Sequence, residues 1–217
     1  MSTFRRNESG EIQIAFTSQE AQVLVNLTEQ MLELLGESEL ATSAPDLDDQ
    51  TFMNLMGIST SDSPPEDPVL RRLFPNAYQD EQEASEFRRY TEHGLREKKR
   101  AHAFLIRESL SESGKIDEIE WSDVNSPDRS LIELIMNDGE ASAWLGGLND
   151  LRLALAVRLG IGEKNPAGES EERSTSFELM TDSDPMKAVY SVYSWLGWVQ
   201  QSLLEVLMAS GDEHQAT

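Results

Sequence analysis

Residues 143 to 161, AWLGGLNDLRLALAVRLGI, narrow the fold more than any other stretch of this chain. Trp144, Leu148, Leu151, Leu155 and Leu159 recur every three or four residues, the spacing that gathers side chains onto one helix face. Gly160 follows as a stop signal. A second stripe, Val189, Val192, Leu196, Val199, Leu203 and Val206, marks a helix over 185 to 209 that opens on Asp184-Pro185. Each stripe has to be covered by another apolar surface, and the covering that matches a helical stripe is another helix. The expected fold is therefore mainly α, a helical bundle-like single domain over residues 1–217.

The other segments fit around that frame. Residues 3–16 read as a β-hairpin, with Ile12, Ile14 and Phe16 alternating onto one face and Asn7-Glu8-Ser9-Gly10 as turn. Thr17-Ser18-Gln19-Glu20 is a capping box for a helix that runs to about Leu35. Asp67-Pro68 opens a short helix through VLRRLF, and a long helix spans about 79 to 110, with Phe87, Thr91, Leu95, Ala101 and Leu105 expected on its inner side. Glu92, Arg96 and Lys99 are expected on its outer side. Residues 128–137 read as a short helix interrupted at Asn137-Asp138-Gly139. Two acidic segments separate these elements. Residues 37–67 hold eight acids and no Lys or Arg, and are expected to form a flexible loop with a docked turn of helix over 50–58. Residues 162–184 form an acidic linker. Glu118 to Trp121 could add a strand to the hairpin, and a frayed tail is expected over 210–217.

Charge and composition exclude several functions. The formal net charge is −22, which opposes unaided binding to nucleic acid or to anionic lipid. There is no cysteine, so disulfides, zinc–thiolate sites and thiol nucleophiles are absent from the chain. No signal peptide and no apolar run long enough for a membrane span are present, and a cytoplasmic protein is expected. His93, His102 and His214 are the only histidines, and no Glu-x-x-His or i,i+4 His pair occurs. No metal, cofactor or enzyme activity is expected, and phosphate-loop and nucleophile-elbow motifs are missing.

Three groups remain as candidates. Asn149, Asp150 and Arg152 sit within the apolar stretch, and the expectation is a structural polar cluster that fixes helix register. Arg88, Arg89 or Arg96 would be the partners of Asp150. Residues 88 to 107 carry seven basic residues against Glu92 and Glu97, an isolated basic stretch in an acidic chain. Arg88, Arg89, Arg96, Lys99 and Arg100, extended by Arg71 and Arg72, are the expected partner-binding surface. Direct DNA binding by the 88–107 helix is the alternative. A helix-turn-helix reading of 67–100 puts Asp80, Glu81 and Glu83 where base edges would be read, which argues against it. Binding of a small molecule or metal near Asp150 is a further alternative. Trp195 and Trp198 on the last helix are expected interface aromatics, and a homo-oligomer is compatible with them.

Two blocks, DPVLRRLFPNAYQDEQEASEFRRYTEHGLREKKRAHA at 67–103 and AWLGGLNDLRLALAVRLGI, carry a resemblance. With the FRR start and the final SWLGWVQQSLLEVL, they resemble the actinobacterial DUF2017 family across nearly the whole chain. Some members of that family are described as oxidative-stress transcriptional regulators. The resemblance implies action on transcription through protein contacts, with a sigma factor or RNA polymerase as candidate partners, and no catalysis. It sits beside one departure: a thiol switch needs cysteine. Either exposed methionines such as Met53 or Met56 are the oxidant targets, or this member does not sense oxidants at all.

Overall fold

The structure is a computed structural model that describes residues 2–36, 63–112, 131–162, 180–181 and 183–213. The acidic stretch to residue 62, with its expected turn of helix at 50–58, lies outside the described residues. So do Met53, Met56, the expected strand at 118–121, most of the 162–184 linker and the last four residues.

The hairpin is present as β1 (Arg5–Arg6) and β2 (Ile12–Thr17). Its turn closes because the Asn7 carboxamide oxygen accepts from the Ser9 and Glu11 amides, while Gly10 takes a φ of 84°. Thr17 ends the strand and caps α1 (Ser18–Leu35): its hydroxyl accepts from the Glu20 amide, and Glu20 accepts from the Thr17 amide. Asp67 caps the short α2 (Pro68–Leu73), and α3 (Glu81–Glu112) is the longest element.

Residues 131–136 correct one expectation. They form a strand, β3 (Leu131–Met136), and not a helix. Burial alternates along it, with Ile132, Leu134 and Met136 inward. The reason lies in β2, whose inward Ile12, Ile14 and Phe16 need a neighbour. In the antiparallel register Ile12 faces Met136, Ile14 faces Leu134 and Phe16 faces Ile132. Asn137 is also not an interruption. It is the cap of α4 (Asp138–Leu159), accepting from the Gly139 and Glu140 amides. The sheet order is β1-β2-β3.

Helix α4 ends on Gly160 at φ 67°, the left-handed geometry that glycine tolerates. The last helix, α5 (Pro185–Glu213), reaches past the point where a frayed tail was expected. Among the described residues, five helices and a three-stranded sheet make a mainly α fold. Trp144, Leu148, Leu151, Leu155 and Leu159 of α4 are all buried, as are Leu196, Val199 and Leu203 of α5. The sheet packs onto this pair through aromatic rings. Phe16 stacks on Trp144 at 6.0 Å, Phe4 meets Trp144 edge-on at 6.2 Å, and Phe16 meets Trp195 edge-on at 6.3 Å.

Candidate functional site

The long helix α3 is built inside out over its first half. Its buried positions are Ala84, Arg88, Glu92, Ala103, Ile106 and Leu110. Arg96 and Lys99 fall on the same line and are half-buried. Glu92, Arg96 and Lys99 were expected outside and instead face the bundle, whereas Phe87 and Leu95, expected inside, are exposed. Sequence periodicity follows apolar residues, and here the inner row is charged, so the face was misread by a fraction of a turn.

The row is held by ion pairs. Arg96 reaches Glu92 at 2.7 Å and donates to the Leu35 carbonyl at 3.1 Å, closing the end of α1. Glu92 also lies 3.4 Å from Arg88 Nε, an ion pair without hydrogen-bond geometry, and Arg88 donates to the Asn76 side chain. Arg96 stands over the Phe74 ring at 4.9 Å. These contacts fasten α3 to α1 and to the turn after α2.

Asp150 is buried at 5% exposure, and its partner is Lys99, at 2.6 Å, and none of the three expected arginines. Arg152 turns the other way: it donates to Gln200 at 2.6 Å, and the Gln200 amide reaches Asn149 at 3.4 Å. The three residues of the expected cluster therefore divide between two interfaces, Asp150 toward α3, Asn149 and Arg152 toward α5. Arg152 also lies over the Tyr193 ring at 5.2 Å.

The crossing of α3 and α4 is close because Gly146 and Gly147 have no side chain there. A Cβ on Gly146 would stand 2.5 Å from His102 Nδ1, and one on Gly147 2.5 Å from the Ile106 side chain. Gly146→Val is expected to lower stability by about 1–3 kcal/mol through overpacking against the imidazole, measured by urea unfolding.

His102 itself was missed in the sequence, where it read as one lone histidine. Its Nδ1 is buried without a hydrogen-bond partner. Burial pushes its pKa below the usual 6.5, the Asp150 carboxylate pulls it up, and Lys98 and Lys99 push it down. Since the folded pKa is the lower one, the unfolded chain binds the proton first as pH falls. Stability is then full above about pH 6.5 and declines as pH drops toward the folded value. A thermal melt at about pH 7.5 and about pH 5.5 should show that decline, and His102→Gln should flatten it.

The other expected site residues are scattered. Arg71 is exposed and donates to the carbonyls of Pro65 and Glu66, and Arg72 is exposed beside it. Arg89 is half-buried, and Arg100 lies 3.8 Å from Glu97. Trp198 is 52% exposed, whereas Trp195 is partly buried against the core. Among the described residues no three acids or histidines are grouped to hold a metal, and no helix is long and apolar enough to cross a membrane. A shallow cleft of about 280 Å³, open to solvent, lies between the α2 turn and α3, with Phe74, Phe87, Arg88 and Glu92 in its lining.

The capping signals and paired glycines set out above lie within the span over which the chain matches one family model. That model, described as a domain of unknown function, DUF2017, matches residues 1–207. The chain belongs to the DUF2017 family. Within curated relatives it is similar to the oxidative stress regulator AosR of Mycobacterium tuberculosis and of Mycobacterium bovis. Each is 30% identical over 192 residues, covering 88% of this chain and 79% of the relative. A Mycobacterium leprae relative is 27% identical over 207 residues, covering 88% of this chain and 80% of its own length. No solved structure matches this DUF2017 chain.

Proposed function

We propose that this DUF2017 protein is a cytoplasmic regulatory interaction protein of the oxidative-stress response, acting on transcription through protein contacts and not by catalysis. The observation that carries the reading is similarity, along 88% of the chain, to proteins named oxidative stress regulators. The candidate partner is a sigma factor or RNA polymerase. The expected surface was Arg71, Arg72, Arg88, Arg89, Arg96, Lys99 and Arg100. Arg88, Arg96 and Lys99 are engaged inside the fold, and Arg71 and Arg72 are the members that stand exposed on the surface.

The absence of cysteine rules out a thiol switch in this chain, so an oxidant signal has to arrive through the partner or through another side chain. Direct DNA binding by the 88–107 helix is a weaker reading, because Arg96 and Lys99 face inward and the net charge is −22.

The test is affinity capture of the tagged chain from nuclease-treated host lysate, with mass spectrometry. Recovery of a sigma factor or RNA polymerase supports the reading, and recovery of neither, in oxidant-treated and untreated cells, removes it. Charge reversal belongs at Arg71 and Arg72. Reversing Arg96 or Lys99 would break internal ion pairs and confound fold with binding.

A further inference from the structure

The face of α3 that points away from the bundle carries a pattern the regulatory reading has not used. Tyr90, Gly94, Glu97, Ala101, Phe104 and Glu108 follow one another at alternating steps of four and three. That is the seam spacing of a two-stranded coiled coil. Tyr90 is 65% and Phe104 45% exposed, and Gly94 and Ala101 between them are exposed as well. A Cβ on Gly94 would meet nothing within 4 Å. Two aromatic shoulders thus stand about 21 Å apart, with the small residues Gly94 and Ala101 between them on either side of Glu97, a shape that admits a second helix at close range.

The flank of this seam is basic. His93, Arg100 and Arg107 recur at strict seven-residue intervals, the position that faces a partner helix's flanking charge. All three are half-buried. Arg107 lies over the Phe104 ring at 4.9 Å, and Arg100 keeps 19% of its side chain exposed beside Glu97. A second copy of this chain is the poorer occupant. Laid parallel, it sets Lys98 and Leu105 opposite His93 and Arg100. Laid antiparallel over the whole face, it sets Arg100 opposite Arg100 and His93 opposite Arg107.

We propose that this outer face of α3 is one half of a heteromeric coiled coil, and that its occupant is an acidic amphipathic helix of a partner protein. Apolar side chains of that helix fill the space over Gly94 and Ala101, and acids seven residues apart pair with Arg100 and Arg107. The proposal rests on the protein-contact reading and gives that contact a surface and a chemistry.

The test uses the full chain and two synthetic three-heptad helical peptides, alike in their leucine seam. One carries glutamate at the flanking positions and the other lysine. Fluorescence anisotropy is expected to show the glutamate peptide binding at least about tenfold more tightly. Arg107→Glu is expected to reverse that preference while circular dichroism stays unchanged. Tyr90→Ser is expected to weaken both peptides. Equal affinity for the two peptides, or no binding of either, overturns the proposal. Tighter binding of a single-stranded oligothymidylate assigns the face to nucleic acid and also overturns it. So does a doubled mass in light scattering that Arg107→Glu abolishes, which would make a second copy the occupant. Failure of lysate capture with the peptide preference intact would remove the transcriptional reading and leave the surface standing.

Discussion

Asp150→Ala lowers the unfolding free energy by about 3–5 kcal/mol, because it leaves a lysine facing the interior without its counter-charge. The Asp150 side chain is 7% exposed and Lys99 18%, with 2.6 Å between them. No other carboxylate among the described contacts takes the place of Asp150, and the Phe74 ring, 6.0 Å from the ammonium, offers only a weak attraction. Removing both charges is a different experiment. Asp150→Leu with Lys99→Met replaces the pair by apolar side chains and is expected to stay within about 1–2 kcal/mol of the parent. Urea unfolding of the two single variants and the double variant closes a cycle. Additive losses would show that the ion pair is not the joint between α3 and α4.

Trp144→Ala has a cost of similar size, about 3–5 kcal/mol, from a different cause. Trp144 is 1% exposed and lies between Phe16 on the sheet and Phe4 before β1. Its indole N–H donates to the Ser109 hydroxyl on α3 at 3.3 Å. The truncation leaves a cavity where sheet, α3 and α4 meet, and the melting temperature should fall by roughly 10 °C. Phe16→Leu in the same background should cost less than it does in the parent, because the ring stack is already gone. Equal costs in the two backgrounds would mean that the sheet is not anchored through this pair.

The helical stripes were legible in the sequence because apolar residues mark them and side-chain caps bound them. Thr17, Asp67 and Gly160 each behave as their residue types require. Two readings failed for physical reasons. LIELIM carries no signal that its neighbour is Ile12 to Thr17, more than a hundred residues earlier, and without that pairing its short apolar run fits a helix equally well. In α3, periodicity was sought in apolar residues, while the inner row runs Arg88, Glu92, Arg96, Lys99. Charges buried in pairs look like a solvated face until the partners on other elements are known. For the same reason the sequence located the polar residues of α4 but not the division that sends Asp150 to one helix and Arg152 to another. The seam at Tyr90 to Phe104 was readable as spacing, and only the exposure of those rings gives the spacing a meaning.

The pairing of β2 with β3 sets an order of events at the ribosome. Ile12, Ile14 and Phe16 emerge early, and their partners Met136, Leu134 and Ile132 follow roughly 120 residues later. At ordinary rates of synthesis that interval is about ten seconds. Throughout it, two strands of the three-stranded sheet wait with an apolar face and an unpaired edge, a natural client for a nascent-chain chaperone.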